Sequence, residues 1–249
     1  MTVRKLHRRR GEPWREGGIG PVAAFPTAGY ATAVSSVIPA VGASIPSPAS
    51  REHSPFVFVA ERLWLDFINS DAPVRTDDAL ADFERFLHWM EAAGVLDAER
   101  TATMRRRAQQ QPTGALAVLG EARRVRSTLR ALAERGEDEE PVRLEAVAEI
   151  NRVLGRSAGT RRLEARDDGG FARAFVPVGD AFAGILIPVV ESAADALILA
   201  ELARVRRCAD PRCGRVFQDE TKNGRRRWCD MATCGNRAKA ARHRLKQHA

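Results

Sequence analysis

Cys208-Ala209-Asp210-Pro211-Arg212-Cys213 and Cys229-Asp230-Met231-Ala232-Thr233-Cys234 repeat one spacing, C-x4-C, with fifteen residues between them. They contain all four cysteines of a 249-residue chain. A short pair spans one edge of a tetrahedron, so two pairs joined by a loop supply the four thiolates of a Zn2+ site. Two disulfides are the competing assignment. A chain with no other cysteine and no convincing secretion signal favours reduced thiols and zinc. Four thiolates close the coordination shell, which makes the one zinc ion structural rather than catalytic.

The residues around the cysteines extend this plan. Pro211 sets a tight knuckle after Cys208, and Gly214 is free to adopt a positive φ. Arg215-Val216-Phe217 and Arg226-Arg227-Trp228 are β-prone runs on either side of Asn223-Gly224, so a β-hairpin joining them is expected. Thr233 is placed to cap a helix with Cys234 in its first turn and Ala238, Ala241 and Leu245 along one face. Knuckle, hairpin and helix make a treble-clef-like finger, too poor in apolar surface to fold without its metal.

Arg226-Arg227-Trp228-Cys229-Asp230-Met231, followed by Cys234-Gly235-Asn236-Arg237, resembles the CGNR zinc finger. Upstream, Leu65-Asp66-Phe67-Ile68-Asn69-Ser70 is similar to the opening LDFxNT pattern of the ABATE domain, with Ser70 where threonine is usual. The resemblance spans about residues 56–245 and leaves the first fifty-odd unmatched. It implies a zinc-bearing, DNA-binding bacterial regulator of stress-induced transcription.

Charge is unevenly distributed. The formal net charge is +8, and from Arg204 onward 14 basic residues face 4 acidic ones. That segment therefore carries +10 and the remainder −2. A zinc ion held by four thiolates adds −2 and leaves the segment strongly basic. Arg225, Arg226 and Arg227 at the expected hairpin and Arg237, Lys239, Arg242, Arg244 and Lys246 on the expected helix are candidate phosphate and base contacts on double-stranded DNA. A solvated basic face, or one that binds RNA or protein, is the alternative. Arg237 has a second reading, as a brace for the zinc site. Trp228 reads as a core plug of the small domain, and base stacking is the sharper alternative.

Residues 1–54 read as a disordered tail, or as a stretch ahead of the true start codon, because recurring proline and glycine leave no helical or alternating period. Residues 55–203 read as a helical domain. Expected helices are Glu61–Asn69; Ala79–Ala93, capped by Thr76-Asp77-Asp78; Ala98–Gln110; Gly114–Glu134, burying Leu116, Leu119, Val125, Leu129 and Leu132; one begun by Pro141, burying Leu144, Val147, Ile150 and Leu154; and Phe182–Val205, kinked near Pro188. A hairpin is expected from Arg161–Arg166 and Phe171–Val176. Residues 204–249 form the finger. The fold class is thus mainly α with a small β-hairpin, a helical N-terminal domain preceding a four-cysteine finger.

Asp66 and Asn69 share a helix face and are candidates for a ligand pocket, with helix capping and buried hydrogen bonds as the bland equivalent. An enzymatic role would rest on Asp66, Asn69 and His88 alone, since no nucleophile elbow, paired metal-binding histidines or Walker loop is present. The expectation is a non-enzymatic, cytoplasmic DNA-binding transcription regulator whose helical domain senses a signal or forms a homo-oligomer. No stretch is apolar and long enough to span a membrane.

Overall fold

The computed structural model describes residues 41–42, 55–71, 78–156, 159–165, 171–177 and 181–247, within one unit covering Ile38–Ala249. Apart from Val41–Gly42, the expected N-terminal tail lies outside the described residues. The elements in chain order are β1 (Val41–Gly42), α1 (Leu63–Ile68), α2 (Phe83–Ala92), α3 (Ala98–Gln110), α4 (Pro112–Arg135), α5 (Glu140–Arg156), β2 (Gly159–Ala165), β3 (Phe171–Pro177), α6 (Ile187–Ile198), β4 (Val205–Arg207), β5 (Val216–Gln218) and α7 (Asn236–Gln247). The chain is mainly helical. β2 and β3 pair antiparallel from Gly159↔Pro177 to Ala165↔Phe171, the expected hairpin, and β1 adds to the outer edge of β3.

The shortest helix is the centre of the core. Six residues cannot hold a helix in water by themselves. In α1, however, Trp64, Leu65, Phe67 and Ile68 are fully buried, and full burial of each such side chain is worth ~1.5–3 kcal/mol. α1 packs against α4 and α6, α2 packs on α3 and α4, and α5 lies between α4 and α6. Phe67 meets Trp89 edge-on at 5.4 Å. The Asp66 carboxylate reaches back to the amides of Val59 and Ala60 at 2.9 and 3.0 Å, donors the short helix cannot satisfy.

Several expected boundaries move. α2 starts at Phe83, four residues late, because the Asp82 side chain accepts the Arg85 amide while Asp78 turns to the Leu80 amide and to Arg126. Thr76 and Asp77 lie outside the described residues. α5 buries Val142, Ala146, Ile150 and Val153, leaving Leu144 and Val147 61% and 39% exposed; two apolar stripes compete there and the one facing α4 and α6 wins. Leu116, in the second turn of α4, is likewise exposed. Pro188 begins α6 instead of kinking it, since proline at the first turn loses no intrahelical bond. The helix ends at Ile198, and Ala200, whose φ of 53° is left-handed, turns the chain into the 3-10 turn that leads to β4.

The finger's ribbon also differs from expectation. β5 pairs with β4, which precedes the knuckle, and not with residues 226–228. The turn at Asn223-Gly224 does form, with Gly224 at φ 60°, but the Arg226 amide is taken by the Asp219 carboxylate at 2.9 Å and cannot join a ladder. The β4–β5 ribbon rests on α1 and α4.

Its outer edge is closed by α1's own end. The Asn69 amide donates to the Val216 carbonyl at 2.8 Å and accepts the Val216 N–H at 3.0 Å, and the Gln218 N–H donates to the Ala60 carbonyl at 3.0 Å. One side-chain amide thus does what a third strand would do for a bare strand edge. Arg62 adds a two-pronged pair to Glu201 and a bond to Glu220 at 2.6 Å. Asn69→Ala strands two buried backbone groups at Val216, and at ~1–3 kcal/mol for an unsatisfied buried group the zinc-loaded protein should lose at least ~2 kcal/mol in urea unfolding. A loss under ~0.5 kcal/mol means the edge is satisfied some other way.

Candidate metal centre and nucleic-acid interface

β4 and β5 bring Cys208 and Cys213 together across the knuckle, where Gly214 takes its left-handed turn at φ 67°. The second pair comes from an irregular segment and a helix start. Asp230 caps that start, not Thr233: its carboxylate accepts from the amides of Ala232 and Thr233 at 3.2 and 2.9 Å and from the Thr233 hydroxyl at 2.7 Å. A π-helical turn, Met231–Gly235, then carries Cys234 into α7.

The four Sγ atoms lie within 4.8 Å of one another, and all four cysteines are buried and free. The Cys213–Cys229 and Cys229–Cys234 separations are 3.5 and 3.8 Å. A disulfide needs ~2.05 Å. A tetrahedron of sulfurs ~2.3 Å from a metal has edges near ~3.8 Å. The donor set therefore fits one Zn2+ with a closed, structural shell, and no position is left for substrate or water.

Carboxylates hold the loops that present these thiols. Asp210 is buried under the knuckle; the Arg212 amide at 3.1 Å and the Arg237 guanidinium at 2.7 Å keep it ionised below the usual carboxylate range against the opposing effect of burial. Asp219 accepts the Thr221 hydroxyl at 2.6 Å and the amides of Thr221 and Arg226, and its carboxyl is also held low, first by the Thr221 hydroxyl. Sequence reasoning missed both. The signal was there in Asp210-Pro211-Arg212 and Asp219-Glu220-Thr221, because an aspartate two residues before a free amide is an Asx-turn.

The candidate basic residues divide into two sets. Arg226 turns inward: it stacks over Phe217 at 4.5 Å, donates to the carbonyls of Trp228 and Cys229, and reaches Val59 O and Glu61 at 3.3 Å. It is a pin between finger and helical domain. Arg237 braces the knuckle through Asp210 and so follows its second reading. Arg225, Arg227, Lys239, Arg242, Arg244 and Lys246 are exposed, and among the described residues no acidic group pairs with them. No residue of α7 is buried, and Leu245 is 72% exposed, so the helix projects from the finger. By contrast Arg105, Arg126, Arg130 and Arg152 of the helical domain are each held by carboxylates.

Asp66 and Asn69 make the hydrogen bonds that shape α1 and close the ribbon edge, the buried-hydrogen-bond reading of the pair. His88 is exposed and lies edge-on to Phe56 at 5.3 Å. Among the described residues no helix is long and apolar enough to cross a membrane.

The family model described as ABATE, "Putative stress-induced transcription regulator", matches residues 61–210, and the one described as CGNR zinc finger matches residues 204–247. No curated protein matches the chain.

Burial pushes the thiol of Cys234 up to about 11 and raises that of Cys229 as well. Zinc binds thiolates, so loading must expel these protons and weakens as pH falls. Apparent zinc affinity measured by chelator competition should drop more than ~10-fold per pH unit between pH 7.5 and 6.5, as expected when more than one proton is displaced. A pH-independent affinity contradicts this.

Proposed function

Since the chain belongs to the ABATE family and carries a CGNR zinc finger, we propose that it is a non-enzymatic transcription regulator that binds double-stranded DNA through the finger. The observation that carries this reading is the set of unpaired cations. Lys239, Arg242, Arg244 and Lys246 stand on a helix with no buried face, next to Arg225 and Arg227. A projecting basic helix fits the major groove, and its charges neutralise phosphates with release of counterions. Zinc has no chemical step here; it sets the angle at which α7 leaves the knuckle.

The helical domain serves as a sensor or dimerisation module, and its seam with the finger offers a route for the effect of a bound signal. The ordinary setting of such a regulator is the cytoplasm. A finger that captures a protein or structured RNA is the second reading, supported by the same free cations.

The test is a salt titration of duplex binding by the zinc-loaded full chain. Affinity should fall steeply with salt, and Arg242→Glu with Arg244→Glu should flatten the log–log slope by about 2, roughly one unit per lost phosphate contact. Partner capture that survives this charge reversal favours the second reading, and absence of duplex binding at low salt contradicts the first.

A further inference from the structure

Trp228 is neither a buried plug nor a free surface side chain. It is half-buried between two concave surfaces of the finger. On one side a groove of 580 Å³ is lined by Lys222, Asn223, Arg225 and Arg227. On the other a groove of 370 Å³ is lined by Arg212, Arg227, Arg242 and the small side chains of Ala238 and Ala241. Trp228 and Arg227 border both. Each volume falls within the ~300–1,000 Å³ of sites that hold small-molecule-sized groups.

The indole is held in place from behind. A Cβ on Gly235 would sit 3.3 Å from Trp228 Cδ1 and 2.2 Å from Met231 Sδ, so the glycine of Cys234-Gly235-Asn236-Arg237 is what allows the helix start to close on the ring. In front, the exposed guanidinium of Arg227 lies 5.2 Å from the ring centroid. A face that accepts a solvated guanidinium is open to another planar group, and an arginine there can cover the far side of such a group.

The charges identify the occupant. Lys222, Arg225 and Arg227 meet no carboxylate in the first groove. In the second, the carboxylate of Asp210 is already taken by Arg237, by the Arg212 amide and, at 3.6 Å, by the Arg212 guanidinium, which leaves Arg242 without a carboxylate. A chain of anions that also carries flat aromatic groups satisfies both grooves and the ring between them. Bases within a duplex hide their faces in the stack, so only an unpaired base offers a face to tryptophan.

We propose that Trp228 is a stacking platform for an unpaired nucleotide of DNA, with Lys222 and Arg225 on one side and Arg242 on the other holding the flanking phosphates. This rests on the DNA-binding reading and extends it from duplex contact by α7 to a site for a splayed or single-stranded base.

The experiment compares three oligonucleotides on the zinc-loaded full chain: a perfect duplex, the same duplex with a two-nucleotide bulge, and that bulge with abasic sites. The bulged duplex should bind on the order of tenfold more tightly than the other two. Trp228→Ala should abolish that preference while leaving perfect-duplex affinity in place, and Trp228→Phe should retain most of it. Zinc content and the urea midpoint confirm that each variant is folded, and the abasic comparison needs no variant. Equal affinity for all three oligonucleotides, or a preference that persists in zinc-loaded Trp228→Ala, overturns the proposal. If the perfect duplex does not bind but the bulge does, the α7 reading fails and the platform stands; if neither binds, both fail.

Discussion

The edge of strand β5 is the constraint from which the rest of the structure follows. A three-residue strand buried on an α-helical core cannot leave its outer N–H and C=O groups unpaired, and among the described residues no third strand is supplied. The Asn69 side chain completes the edge instead, with its donor and its acceptor both on Val216. Because Asn69 directly follows the helix whose other residues form the centre of the core, the finger's position is tied to that of Trp64, Phe67 and Ile68. The resulting arrangement is one compact unit in which α7 buries none of its residues.

Electrostatics separates structure from function in the same region. Arginines that hold the fold have their charge met: Arg226 by Glu61 and main-chain carbonyls, Arg237 by Asp210, Arg62 by Glu201 and Glu220. The Arg62 pairing is strong enough to hold Glu201 below the usual carboxylate range. Cations without such partners gather on the outer surface of the finger, around the two grooves and along α7. A polyanion held by Lys222, Arg225, Arg227 and the α7 cations breaks no internal pair, so the cost of desolvating already satisfied charges is avoided.

What was legible in the sequence follows from the range of the interactions involved. The zinc ligands could be read because metal geometry translates directly into cysteine spacing. Most helices could be read because their apolar period is local, although α5 shows the limit, since two stripes of similar hydropathy are told apart only by what packs on them. The expected Arg226–Trp228 strand failed because its competitor, the Asp219 carboxylate, lies seven residues away and captures the amide first. The role of Asn69 was hidden for a stronger reason: its partner Val216 is 147 residues distant. Of the eight basic residues expected at the interface, Arg226 and Arg237 have internal partners in Glu61 and Asp210, because composition records a charge but not the carboxylate that answers it.

Joined through Asn69, the zinc centre and the helical core should unfold as one cooperative unit. Amide hydrogen exchange on the full chain, zinc-loaded and zinc-stripped, tests it most directly. Removing zinc should release the amides of Val216–Gln218 and those of α1 together. Free exchange across the finger with unchanged protection in α1 would contradict it, and would make the finger a separate module that only rests on the domain.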